Sequence, residues 1–183
     1  MNSIRKLYHV LRTNLARLRA ARTSHKRAAA CAGKKILVIC YGNIYRSPFA
    51  GVYLSNRLAQ YGYEVRSAGV YGISGRASNE QYVSDVASYG VDLSAHRSIA
   101  MDRELINWAD YVLVMDRHNY HAVTLTSPEA SGKILWLGAF DSRSMAVEIE
   151  DPYGGSSQLQ QVVIDKLIRC SDGLVSEFVK NDK

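Results

Sequence analysis

Beyond Lys35 the chain alternates short apolar runs with longer stretches of helical periodicity, and that alternation leaves few folds open to it. Residues 36–39, 64–67, 111–115 and 134–137 read as strands, and 47–61, 79–89, 102–108, 118–125 and 156–179 as helices. Strand, helix and strand in that order need crossover connections, so the strands run mainly parallel and helices cover both faces. The expectation is a three-layer α/β fold around a central, mainly parallel four-stranded sheet. Ligands should then bind at the carboxyl ends of the strands, near a topological switch point. With 183 residues there is room for one ordinary domain with a proper core. The apolar runs fall far short of the roughly 18 residues a membrane-spanning helix requires.

The first 33 residues break the pattern. Ile4, Leu7, Tyr8, Leu11, Leu15 and Leu18 share one side of a helix, with Arg5, Lys6, Arg12, Arg17 and Arg19 outside that arc. This predicts a basic N-terminal amphipathic helix, then an acid-free linker over 23–33, so that 1–33 is an extension and 34–183 the domain proper. The formal charge of +6 belongs to the extension: residues 1–35 carry ten Lys and Arg and no acid, while the remainder sums to −4. The core has no basic stripe for a phosphate backbone, and no nucleic-acid partner is expected. For residues 4–22 three roles stay open: a peripheral membrane anchor, contact with an acidic partner, or an Arg-rich targeting peptide. An extension without a role is the plain alternative.

Cys31, Cys40 and Cys170 are odd in number and form no C-x-x-C pair, which points to a reducing, cytoplasmic setting, at the inner face of the membrane if the helix is an anchor. No metal and no cofactor are expected. His118 and His121 stand at helical spacing without the acids or cysteines that would complete a metal site.

The sharpest local feature is Cys40-Tyr41-Gly42-Asn43-Ile44-Tyr45-Arg46-Ser47-Pro48, between the first strand and the first helix. Pro48 in the first turn, with Ser47 as candidate N-cap, marks a helix start. A loop of this length can turn its backbone N–H groups inward, and the positive end of the helix dipole completes a nest for a tetrahedral dianion. The same field favours a thiolate at Cys40, placing a nucleophile beneath a bound phosphate. Arg46 can return to the rim and grip two oxygens of that phosphate. Gly42 offers backbone freedom within the turn. A cysteine and an arginine at this spacing recur by chance, but G-N between them, S-P behind them and the strand-loop-helix setting make a phosphate site the better reading. Cleaving a phosphate ester also needs a proton donor for the leaving oxygen. Asp151, ahead of Pro152 and the closing helix, is the candidate. Asp116, after the third strand, either orders the site or caps the next helix.

With these residues in view, the chain resembles the low-molecular-weight protein tyrosine phosphatases: the Cys40 loop, Ser67-Ala68-Gly69 and Asp151-Pro152-Tyr153 occur in that family's order over about residues 35–180. The resemblance implies hydrolysis of phosphotyrosine through a phosphocysteine on Cys40. Arg46 and the loop from Tyr41 through Gly42, Asn43, Ile44 and Tyr45 would hold the phosphate, and Asp151 would be general acid, then base. By the same resemblance Ser47 hydrogen-bonds the thiolate, Asn43 shapes the loop with His96, and Tyr153 stacks on the substrate ring. Ile44 stands where tyrosine-directed members carry a bulky aliphatic and arginine phosphatases a threonine. The run 128–134 and the short 67–74 segment look more like bacterial capsule and exopolysaccharide phosphatases, whose partners are autophosphorylating tyrosine kinases of polysaccharide export.

Tyr45 departs from the family, which usually carries there a second cysteine able to protect the nucleophile as a disulfide. Oxidised Cys40 is therefore expected to lack a local partner, and the bulk of Tyr45 to distort the loop and slow turnover. Two rival readings remain: an arsenate reductase on the same fold, which needs resolving thiols, and a phosphate-binding module without catalysis.

Overall fold

The computed structural model describes residues 2–30 and 33–181. A long helix, α1 (Asn2–Ala30), precedes β1 (Lys35–Cys40), α2 (Arg46–Leu58), β2 (Glu64–Gly69), α3 (Glu80–Ala87), α4 (Arg103–Trp108), β3 (Tyr111–Val114), α5 (Arg117–Thr126), β4 (Ile134–Trp136) and α6 (Ser157–Asn181). The strands form one wholly parallel sheet in the order β2-β1-β3-β4. Both faces are buried, as crossover helices require. Ile36 and Val38 of β1 point toward Phe49, Leu54, Leu167 and Leu174, from α2 and α6. Their neighbours Leu37 and Ile39 join Ile106 and Val123, from α4 and α5, on the other face. This alternation is the two-residue period of a strand buried on both sides.

From β1 the chain crosses to β2 at one edge, whereas from β3 it crosses to β4 at the other. The crevice between the carboxyl ends of β1 and β3 is thus the switch point, with Cys40 on one side and Asp116 on the other. Element boundaries agree with the sequence reading to within a few residues. The predicted helix 47–61 ends at Leu58 and continues as a 3-10 turn over Ala59–Tyr61.

The reading of 23–33 as a linker is corrected: α1 runs unbroken to Ala30, and Ser24 and Ala28 are buried. The cause lies at the exposed edge of the sheet, where β4 has unpaired backbone groups. Ser24 Oγ accepts from Trp136 N–H at 3.0 Å, and Arg27 donates to the Ile134 carbonyl at 2.7 Å. His25 Nε2 donates to the Ala139 carbonyl at 3.2 Å. Side chains of α1 therefore do for β4 what a fifth strand would do, a long-range use that composition cannot reveal.

Candidate active site

The loop after β1 closes around the Cys40 sulfur. Asn43 N–H and Ser47 Oγ–H both donate to Sγ, at 3.2 and 3.0 Å. Asn43 takes the left-handed conformation, φ 52°, which asparagine tolerates better than most residues. Its side chain explains why it stays there. Nδ2 donates to Ser47 Oγ and Ser67 Oγ, both at 2.9 Å, and Oδ1 accepts from Ile99 N–H at 2.8 Å. His96 Nε2 donates to the Asn43 carbonyl at 2.8 Å. Gly42, expected to supply the backbone freedom, has no positive φ; Asn43 supplies it instead. The glycine that the loop needs is Gly69, where a Cβ would meet Tyr41 O at 2.9 Å and Asn43 N at 3.0 Å.

Helix α2 begins one residue earlier than expected. Tyr45 is its N-cap, without a side-chain cap, and Ser47 lies inside the first turn with its hydroxyl committed to Cys40 and, at 3.3 Å, to the Ala68 carbonyl. The N–H groups of Gly42, Ile44, Tyr45 and Arg46 have no hydrogen-bond acceptor among the described residues. Such unpaired amides at a helix N-terminus are the donors an anion takes up.

Arg46 is buried, at 1% exposure, and its guanidinium is fixed from three sides. Nη1 donates to Asp116 Oδ2 at 2.7 Å and to the Ile149 carbonyl at 3.0 Å, while Nη2 pairs with Asp151. Nε has no partner among the described residues and remains available. Asp116 fills both roles foreseen for it, since Oδ1 accepts from Asn119 N–H and caps α5.

Above the sulfur lies a cavity of 260 Å3 lined by Cys40, Tyr41, Gly42, Ile44, Tyr45, Tyr71, Arg76, Asp151 and Tyr153. Its walls are largely aromatic. Tyr45 sits edge-on to Tyr153 at 6.2 Å and against Tyr82 at 4.6 Å, and Tyr41 packs on Tyr71 at 5.6 Å. Burial, then the neighbouring Tyr153 and Asp151, pushes the Tyr45 phenol upward, so it stays a neutral hydroxyl. Tyr82, more deeply buried and beside Cys40, is pushed further the same way and donates to the Tyr45 carbonyl at 3.2 Å. The loop's hydrogen bonds to sulfur are intact with Tyr45 in place.

Residues 35–183 match the family described as low molecular weight phosphotyrosine protein phosphatase. The chain belongs to that family. It is 37% identical over 120 residues to a probable low molecular weight protein-tyrosine-phosphatase, EpsP, of Ralstonia solanacearum, covering 66% of this chain and 79% of that protein. Among solved structures, the YwlE arginine phosphatase of Geobacillus stearothermophilus is similar at 32% identity and a TM-score of 0.73, covering 81% of this chain and 94% of that one. The tyrosine phosphatase Wzb of Escherichia coli K30, in complex with sulphate, has 30% identity and a TM-score of 0.70, with 78% and 96% covered.

Within this phosphatase, Cys40, Tyr41, Gly42, Ile44, Tyr45, Asp151 and Tyr153 line the cavity, while Asn43 and Ser47 reach it through the Cys40 sulfur, Arg46 through Asp151, and His96 stands behind the loop. Tyr71, Arg76 and Tyr82 were missed. Tyr71 and Arg76 follow β2 at the same carboxyl end, a position that itself marks candidates. Arg76 donates to the Gly42 carbonyl and stacks over Tyr71 at 4.7 Å. No helix among the described residues is long and apolar enough to cross a membrane.

Proposed function

We propose that this phosphatase hydrolyses phosphotyrosine in proteins through a phosphocysteine on Cys40. The observation that carries the reading is the meeting of a sulfur and a carboxyl, Cys40 and Asp151, on one cavity with four tyrosines in its wall, the carboxyl paired with the buried Arg46 and the loop amides beside it unpaired. The phosphate enters the nest of amides from Gly42 to Arg46, and Arg46 offers Nε and Nη2 to its oxygens. Asp151 then leaves the arginine, takes up a proton from solvent and turns to the ester oxygen. As the thiolate attacks phosphorus, the sulfur–phosphorus bond forms, the phosphorus–oxygen bond breaks, and Asp151 gives its proton to the departing phenolate oxygen. In the second step water attacks the phosphocysteine and Asp151 takes a proton from it. Orthophosphate leaves and the Cys40 thiolate is restored. Ser47 and Asn43 stabilise the sulfur at both ends of the cycle, and Asp116 keeps Arg46 aimed at the cavity. The positive field comes from amides and from the guanidinium groups of Arg46 and Arg76, which suits the spread charge of a phosphoryl-transfer transition state.

Among the relatives are tyrosine phosphatases and an arginine phosphatase. Ile44, Tyr45 and Tyr153 on the cavity wall favour the phenyl ring of phosphotyrosine, with Tyr153 stacking on it. The sulphate held by the Wzb relative is a tetrahedral dianion of the kind this nest would accept. The resemblance in 128–134 supports a tyrosine autokinase of polysaccharide export as the protein substrate. Residues 4–22 contact a membrane or a partner and leave the chemistry untouched. The arsenate-reductase reading loses its support, because Cys170 is buried in α6 and Cys40 is the one cysteine among the cavity-lining residues, Cys31 lying outside the described ones.

The test is hydrolysis of phosphotyrosine peptide with a chelator present, beside phosphoarginine. Turnover lost in Cys40→Ser and strongly reduced in Asp151→Ala is expected. Phosphate binding without any turnover would favour the binding-module reading, and equal turnover of phosphoarginine would remove the specificity assigned to Ile44.

A further inference from the structure

Helix α1 uses one face to hold the fold and leaves an apolar stripe on the other. Ser24 and Ala28 are buried against the domain, and Arg17 and Ala20 half-buried on the same side. Tyr8, Leu11, Leu15 and Leu18 are 66, 53, 54 and 38% exposed. At about 100° per residue these four share an arc of roughly 80°, centred on the far side of the helix from Ser24 and Ala28. Arg5, Arg12, Arg19 and Lys26, spaced by seven, form a row along one flank of the stripe, and α1 contains eight Lys and Arg and no acid. The stripe therefore faces away from the protein while the helix is firmly docked through Ser24 and Arg27.

A second copy of the chain fits this face poorly. In the sequence the coiled-coil spacing runs through 4, 8, 11, 15 and 18, but Arg22 takes the next seam position and ends it. The basic row on one flank, in a helix without an acid, would also give two copies nothing to pair. An acidic protein would use the basic row and leave the leucines in water. An anionic bilayer uses both: aliphatic side chains enter the acyl boundary, while long basic side chains lift their charges to lipid phosphates. We propose that α1 lies along an anionic lipid surface with Tyr8, Leu11, Leu15 and Leu18 inserted and the Arg5, Arg12, Arg19 and Lys26 row on the headgroups. Because α1 continues rigidly into its contacts with β4, the catalytic domain is then held at the membrane in a fixed orientation, where a membrane-borne phosphoprotein would meet it.

The test is cosedimentation of the full chain with phosphatidylcholine vesicles, with and without phosphatidylglycerol. Binding to the anionic vesicles is expected, about tenfold or more above the neutral ones, and weakening as ionic strength rises. Leu11→Ser with Leu15→Ser and Leu18→Ser should lower it at least about tenfold. Arg5→Gln with Arg19→Gln and Lys26→Gln should weaken binding to the anionic vesicles and reduce its salt dependence. Both variants should hydrolyse a soluble aryl phosphate like the parent, which establishes folding and separates this result from the catalytic reading. Equal binding to neutral vesicles, unchanged binding of the serine variant, or a parent that stays in solution would overturn the proposal. So would binding to polyglutamate or dimerisation in place of vesicle binding.

Discussion

Cys40 and Cys170 are equally hidden from water, at 2 and 0% exposure, yet their surroundings differ in kind. The Cys40 sulfur receives a backbone N–H and a hydroxyl and forms part of a cavity wall. Cys170 lies within α6 among Leu167, Leu174 and the rest of the core, where burial, reinforced by the Asp141 carboxylate, pushes its thiol up to about 12. Burial alone thus makes a cysteine inert. What separates the two is the set of donors that the loop after β1 aims at one sulfur, and a path by which a phosphate can reach it.

The largest expected effect is on turnover. Cys40→Ser should lower kcat by about four orders of magnitude or more, the scale seen when a catalytic nucleophile is lost. Cys170→Ala should leave kcat nearly unchanged and cost about 1 kcal/mol of stability, for a small cavity in the core. A parallel loss of kcat in both variants, with folding intact, would break the contrast. Next in size is Asp151→Asn, expected to reduce kcat by about 10²–10⁴ with phosphotyrosine and by less with a nitrophenyl ester, whose leaving group needs little protonation.

Oxidation sharpens the same contrast. Among the described residues no second cysteine lines the cavity, so excess peroxide should carry Cys40 to acids that dithiothreitol does not reduce. Tyr45→Cys would place a thiol in the same wall, and activity after peroxide should then return with dithiothreitol; full recovery in the parent would contradict this. The smallest effect is on stability at alkaline pH. A thiol whose folded value is raised favours the folded state below the ordinary value and loses that contribution as pH climbs to the raised one. Stability should fall between about 9 and about 12, more steeply in the parent than in Cys170→Ala, as read by urea unfolding.

The sheet and its helices were legible because their signals are local: Ile36 to Cys40 is apolar throughout, and Pro48 sits in the first turn of α2. The Cys40 loop was legible for the same reason, its parts being neighbours in sequence. Residues that act through the fold were not. Arg76 reaches Gly42 across 34 positions, and Ser24 reaches Trp136 across 112, and neither pattern leaves a local trace. Asp116 could be placed at the right end of the sheet but not assigned, because its pairing with Arg46 spans 70 residues. The left-handed residue was misplaced at Gly42, since glycine is the residue that most readily takes that conformation. Asn43 holds it through side-chain bonds that only the folded loop provides.

Catalysis of this kind depends on covalent chemistry at one sulfur, and trapping the phosphoenzyme is the decisive check. With Asp151→Asn and a nitrophenyl phosphate, whose first step needs little acid, loss of phosphate from the enzyme becomes slow and the phosphoenzyme should accumulate. Rapid quenching and peptide mass spectrometry should then find a phosphoryl group on the peptide that carries Cys40, and none on the Cys170 peptide. Continued turnover with Cys40 unmodified throughout, or phosphate on another residue, would contradict it.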